Sequence, residues 1–164
     1  MKFIAISIAV HNRLDLTKKC IQSILNATKK HRLHFYVVDD GSTDGTSEWI
    51  TENHPRIKLI KGNGNLWFGG ATFLSLKYIF KSKKKYDYIL IINNDTFLNS
   101  GSIDNLVELS KNKYVVGSLY KQENINELGS SGFIWKFKKG LVGVSYTKKW
   151  DQLSKSTNYL KVDS

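Results

Sequence analysis

Cysteine and proline are almost missing from this chain. Cys20 is the lone cysteine, so no internal disulfide can form. A reducing, cytoplasmic compartment fits that usage. Pro55 is the lone proline, and beside twelve glycines it suits compact packing with tight turns. No apolar run approaches the roughly 18 residues that a bilayer-crossing helix needs. The run from Met1 to Val10 carries a lysine and ends in His11-Asn12-Arg13 with no small-residue cleavage pattern. It reads as a buried first strand rather than a signal peptide. Acidic residues are scarce: 14 Asp and Glu against 25 Lys and Arg leave a net charge of +11. That balance favours polyanionic partners such as nucleic acid, anionic lipid headgroups or phosphorylated substrates. The densest basic cluster, Lys81 with Lys83, Lys84 and Lys85, reads first as a solvated face at a helix end.

The chain is otherwise well supplied. It has 164 residues, 41 % of them hydrophobic and 12 % aromatic, enough for one domain with a real core. Strand-like and helix-like stretches alternate. Phe3 to Val10 is an unbroken apolar run suited to a strand buried on both faces. Leu14 to Ala27 shows helical spacing through Leu16, Cys20, Ile21 and Ile24. His34 to Val38 is a strand, and Asp44 to Asn53 a helix capped by Asp44 or Thr43. Arg56 to Ile60 is a short strand. Gly69 to Lys81 is helical, with apolar positions at Ala71, Leu74, Tyr78 and Phe80. Tyr88 to Ile92 is a nearly pure apolar strand, Ser102 to Lys111 a helix, and Tyr114 to Leu119 a strand. Phe133 to Phe137 and Gly140 to Tyr146 are placed to form a hairpin. The alternation predicts β-α-β units and a mostly parallel sheet.

Open sheets of this kind bind ligands beyond the carboxyl ends of their strands. His11-Asn12-Arg13 follows the first strand, and Asp39-Asp40-Gly41-Ser42-Thr43-Asp44 the second. Gly62-Asn63-Gly64-Asn65 follows the third and Asn93-Asn94-Asp95-Thr96 the fourth. Turns are polar in any case, which accounts for the Gly, Ser and Asn. It accounts less well for acids directly abutting Val37-Val38 and Ile91-Ile92. Clustered carboxylates repel unless a cation lies between them. Mg²⁺ or Mn²⁺ would take one or two of them and share a substrate diphosphate. The amino end of the helix near Phe68 to Ala71 offers amides to the same anion.

With these motifs in view, the chain resembles the family 2 glycosyltransferases, which have the GT-A (Rossmann-like) α/β fold. The motifs are Ser7 to Arg13 at the first strand, Val37 to Thr46 at the second and Ile91 to Thr96 at the fourth. Gly64 to Ala71 is similar to a loop of the rhamnosyltransferase-like branch. The resemblance implies a donor-binding core over 1–120 and the start of an acceptor-side region over 121–164, within a single domain. It implies that Asp39 hydrogen-bonds a pyrimidine base and that Asp40 stands near the ribose. His11, Asn12 and Arg13 would border the base. Gly64, Asn65, Trp67 and Gly70 would line the donor pocket, with Asn93 and Asn94 at the ribose or sugar. Asp95 would bind the metal. The implied partners are a UDP- or dTDP-sugar donor, with dTDP-rhamnose favoured by the loop, and a saccharide or lipid-linked acceptor.

The pattern also departs from the family. Asn93 replaces the first carboxylate of the DxD triplet. Phe73 and Ser75 stand where relatives often carry Asn and Gly. An inverting transfer needs a base on the acceptor hydroxyl, and no Glu-Asp motif precedes Ser164. Glu127 and Asp151 are the remaining acids by type. The expectation is therefore a chain that stops short of the acceptor site, working in the cytoplasm or peripherally on the inner membrane face.

Competing readings lack their motifs. A dinucleotide-binding fold needs G-x-G-x-x-G after the first strand, and position 67 is Trp. A phospho-acceptor domain would carry its acid pair where His11 and Asn12 stand. A nucleotidylyltransferase would need a basic glycine-rich loop after the first strand. A non-catalytic nucleotide- or nucleic-acid-binding module is the alternative of a different class, permitted by the charge and by Trp49, Trp67, Trp135 and Trp150. No nucleic-acid partner is expected on the main reading.

Overall fold

The computed structural model describes residues 1–112 and 116, with short strands at 120–121, 128–130, 133–136 and 142–145. The chain divides into two compact units, Met1–Lys111 and Asn112–Ser164. The first unit runs β1 (Phe3–Val10), α1 (Leu14–Asn26), β2 (Arg32–Asp39), α2 (Thr46–Asn53), β3 (Lys58–Lys61), α3 (Trp67–Lys81), β4 (Tyr88–Asn93) and α4 (Ser102–Leu109). A tight 3₁₀ turn, Ser110–Asn112, follows α4. In the second unit β5 (Tyr120–Lys121) pairs antiparallel with β6 (Leu128–Ser130), and β7 (Phe133–Lys136) with β8 (Val142–Ser145). The last pair is the expected hairpin. Apart from residue 116, which is assigned to no strand, the strand expected over 114–119 lies outside the described residues.

The four strands of the first unit form one parallel sheet in the order β3-β2-β1-β4. Alternation along β1 sends Ile4, Ile6, Ile8 and Val10 to one face and Ala5, Ser7 and Ala9 to the other. The first set packs with Cys20, Ile21 and Ile24 of α1, Ile50 of α2, and Ile103 and Val107 of α4. Ala5 packs on the opposite side with Val38, Ile60, and Ala71 and Ile79 of α3. Fully burying each isoleucine contributes about 2–3 kcal/mol. The strand ends are thereby held at fixed heights.

Element types agree with the sequence reading, and some boundaries and faces differ for identifiable reasons. Helix α3 starts at Trp67 rather than Gly69. The Asp40 carboxylate accepts the amides of Leu66 and Trp67 and so draws the helix start upstream. Helix α2 starts at Thr46 rather than Asp44, because Gly45 is still in the left-handed region at φ 83°. Strand β3 starts at Lys58, since Ile57 N–H bonds His54 C=O in a tight turn. The buried positions of α3 are Ala71, Ser75 and Ile79, whereas Tyr78 and Phe80 are exposed. The α3 axis lies close on small residues of β1, and the hydroxyls of Ser7 and Ser75 hydrogen-bond there. A buried serine pair leaves no trace in an apolar pattern. Strand β4, almost purely apolar in sequence, leaves Ile91 45 % exposed. It is the edge strand of the sheet among the described residues.

Candidate functional site

Strands β1, β2 and β3 step outward in one direction, with α1 and α2 on the same face. The chain then crosses by α3 on the other face and adds β4 on the far side of β1. The order therefore reverses between β1 and β4, where the fold opens a crevice at the carboxyl ends. Register brings the ends level: Val10 pairs with Asp39, Asp39 with Lys61, and Ala9 with Asn93.

Asp39 ends β2 with 1 % of its surface exposed. Its Oδ1 accepts the Ser42 amide at 2.9 Å. Its Oδ2 accepts the Ser47 hydroxyl and faces Lys61 Nζ at 3.6 Å. Burial alone would push its carboxyl up. The bonds from Ser42 and Ser47, with the Lys61 charge, outweigh that and hold it below the usual range.

Asp40 is also buried and turns to the next loop. Its Oδ1 accepts the Gly64 amide at 2.8 Å, and its Oδ2 those of Leu66 at 2.7 Å and Trp67 at 3.1 Å. The anion at the amino end of α3 is thus a side chain of the protein itself. The loop closes tightly over it. A Cβ on Gly62 would lie 2.5 Å from Asp40 Oδ1 and 3.0 Å from Asp40 Cα. Gly70 is similarly close to Leu66, whose Cβ would be 3.2 Å from an added methyl. Asn65 is exposed, and its amide bonds Asn63 Oδ1 at 3.1 Å.

The β1–α1 loop ties the edge together. His11 Nδ1 donates to the Asp40 carbonyl at 2.7 Å, which assigns its proton to Nδ1 and leaves Nε2 to accept from Asn12 Nδ2 at 3.2 Å. Asn12 N–H donates to Ser42 Oγ at 2.7 Å, and Asn12 Oδ1 accepts the Thr43 amide at 2.9 Å. Asp44 joins two helices: it accepts the Leu14 amide of α1 at 2.8 Å and the Thr46 hydroxyl of α2 at 2.6 Å. The Thr46 bond is the chief cause of its lowered pKa. Of the two expected caps of α2, Asp44 and Thr43, Asp44 is the one that bonds Thr46, while Gly45 holds the N-cap position.

Asp95 differs from the other acids. Its side chain is 44 % exposed, and Oδ2 lies 3.3 Å from Arg13 Nη1, itself 63 % exposed. Asn93 is exposed beside it. Asn94 is buried, with Nδ2 donating to Thr17 Oγ1 at 3.0 Å. Its side chain braces the loop on α1 and does not face the edge. The described residues hold three non-glycine positive-φ positions, Asn12 (57°), Arg13 (61°) and Trp67 (54°). All three flank this edge. Arg13 and Trp67 each cost roughly 1–2 kcal/mol there, whereas asparagine adopts this region more readily, and strain of that kind gathers where geometry serves a function. Trp67 is 83 % exposed.

The structure brings His11, Asn12 and Ser42 into one network with Asp39 and Asp40, and places Asp95 against Arg13 of the same loop. Asp39 and Asp95 do not touch; they are linked through Ser42, Asn12 and Arg13. Asp39, Asp40 and Asp44 are each compensated by the protein, so three of the acids need no cation between them. No group of three or more potential metal-ligating side chains occurs among the described residues. Asp95, with the neutral Asn93 nearby, fits a cation that takes one carboxylate and fills its other positions with water and phosphate. Glu127 and Asp151 lie outside the described residues. Lys61 went unnoticed in sequence, although its place directly ahead of Gly62, at the end of the third strand, was the available signal.

The chain is 28 % identical over 130 residues to a poly(ribitol-phosphate) beta-glucosyltransferase of Bacillus spizizenii, covering 77 % of this chain and 20 % of that protein. The mannosyltransferase PcManGT of Pyrobaculum calidifontis, solved with GDP-Man and Mn²⁺, superposes with a TM-score of 0.58 at 20 % identity, over 70 % of this chain and 33 % of that one. The S. aureus TarS fragment solved with UDP superposes with a TM-score of 0.53 at 18 % identity, over 74 % and 40 %. The chain thus spans about a fifth of the curated relative and a third to two fifths of the solved chains. The structural likenesses show the fold, a GT-A parallel sheet flanked by helices. The profile of glycosyl transferase family 2 matches residues 5–149, and the chain belongs to that family.

Proposed function

We propose that the carboxyl edge between β1 and β4 binds a nucleotide-diphospho-sugar and that the chain serves metal-assisted, inverting sugar transfer to a saccharide or lipid-linked acceptor. The observation that carries this reading is Asp95: an exposed carboxylate at the sheet's switch point, held by one solvent-exposed arginine. Asp39, Asp40 and Asp44 are already compensated within the protein, so Asp95 is the acid of this edge left to hold a cation. The solved relatives bound to UDP and to GDP-Man with Mn²⁺ support a nucleotide-sugar donor and a divalent cation.

In this reading Asp95 holds Mg²⁺ or Mn²⁺, which would offset charge building on the departing diphosphate. With a cation on Asp95, Arg13 would be free to meet a phosphate oxygen. Asp39 would read the base, since each of its oxygens retains acceptor capacity. Asn12 and His11 hold the wall against which the base rests. Asp40, through Gly64, Leu66 and Trp67, sets the floor and positions Trp67 beside the donor. The relatives' names favour a glucosyl, N-acetylglucosaminyl or mannosyl donor over dTDP-rhamnose. The acceptor base is assigned to no described residue.

Calorimetry with UDP, dTDP and GDP, each with and without Mn²⁺, tests the proposal. Pyrimidine-selective binding strengthened by Mn²⁺ is the expected outcome. Equal binding of all three, or none with Mn²⁺ present, overturns it.

A further inference from the structure

Helix α3 is apolar on two opposite faces. Ala71, Ser75 and Ile79 are buried against the sheet. Phe73 and Phe80, seven residues apart and hence two turns along the other side, are 64 % and 75 % exposed. With Leu76, Lys77 and Lys81 they line one shallow groove. Lys77 Nζ lies 5.3 Å over the Phe73 ring. A contiguous exposed apolar strip rimmed by charge marks an interaction surface.

The charge around it selects the partner. Between Asn53 and Tyr86 the sequence has eight Lys and Arg and no Asp or Glu. Five of the eight, Lys77, Lys81, Lys83, Lys84 and Lys85, lie on the second half of α3 or directly after it, and all five are exposed. A second copy docking by the same face would set this cluster against itself. Residues 113–164 are a poor cover too, with nine Lys against four acids. An anionic lipid surface matches both features. Aromatic residues enter the boundary between headgroups and acyl chains while lysines pair with lipid phosphates.

We propose that α3 lies flat on an anionic bilayer through Phe73, Leu76 and Phe80, with Lys77, Lys81, Lys83, Lys84 and Lys85 on the headgroups. The site is separate from the donor edge and does not depend on the reading given above for that edge.

The test is co-sedimentation of the purified chain with vesicles of phosphatidylcholine alone or mixed with phosphatidylglycerol. Binding to the anionic vesicles should be at least about tenfold tighter and weaken in high salt. Phe73→Ser with Phe80→Ser, and separately Lys83→Gln with Lys84→Gln and Lys85→Gln, should each lower it about tenfold. Unchanged circular dichroism spectra and unfolding midpoints would show that both variants remain folded. Equal partitioning to both vesicle types, or binding untouched by either set of substitutions, overturns the proposal. So does a chain that ignores vesicles and instead forms a dimer in sedimentation velocity that Phe73→Ser with Phe80→Ser dissolves.

Discussion

The Asp40 carboxylate, at the end of the second strand, holds the amide of Trp67 at the start of α3, with Oδ2 at 3.1 Å. The same oxygen takes the Leu66 amide and its neighbour takes Gly64. One buried side chain thereby closes the whole β3–α3 loop. Asp40→Asn keeps one acceptor oxygen and presents an NH₂ to amides that have nothing to accept it. Bonds to a charged group contribute about 1.5–3 kcal/mol. Urea unfolding should show a loss of about 2 kcal/mol, and limited proteolysis should cut near Gly64. An unchanged midpoint would contradict the assignment.

The Arg13–Asp95 pair is exposed on both sides, and such pairs contribute roughly 0–1 kcal/mol. Asp95→Asn should leave stability within about that margin. Under the proposed function it should also erase the Mn²⁺-dependent part of donor affinity in calorimetry. A fall in stability with metal dependence intact would show that Asp95 is structural.

Gly62 and Gly64 should fail differently when changed to Ala. At Gly62 the new methyl meets Asp40, including its backbone Cα at 3.0 Å. At Gly64 the space is open, but φ is +87°. Gly64→Ala should cost about 1–2 kcal/mol from conformation alone. Gly62→Ala should cost more and lower donor affinity too, since Asp40 must shift. Paired denaturation and titration curves separate the two.

Asp39 makes stability depend on acid. Its folded pKa lies below the unfolded value, so its contribution is complete above the unfolded pKa of about 3.9 and disappears as pH falls through the folded one. Asp44, lowered by its Thr46 and Leu14 bonds, acts in the same sense. Unfolding free energy should be flat near neutrality with respect to both and fall below about pH 4. Asp39→Asn should make that acid limb shallower while lowering stability at neutral pH.

Cys20 is fully buried, donates its thiol to the Asn93 carbonyl at 3.4 Å, and has its pKa pushed up to about 12, chiefly by burial. The native protein should resist thiol reagents at pH 8, with labelling appearing in step with unfolding. Rapid labelling of folded protein would mean that α1 opens readily from β4.

The amino-acid order alone determined the element types, the parallel sheet, and the gathering of His11–Arg13, Asp39–Asp44 and Asn93–Asp95 on one edge. Those follow from local periodicity and from the rule that parallel strands end together. Cys20 as a core residue followed from helical spacing. What each acid does was decided by tertiary contacts, because Asp39 and Asp40 are identical in type and adjacent, yet alternation sends them to different neighbours. Asp39 meets Ser47 and Lys61; Asp40 meets three amides more than twenty residues later. The inward turn of Asn94, the serine pair beneath α3 and the exposure of Phe80 have the same origin. Each depends on how closely two distant segments approach, and that distance is set by packing rather than by any local pattern.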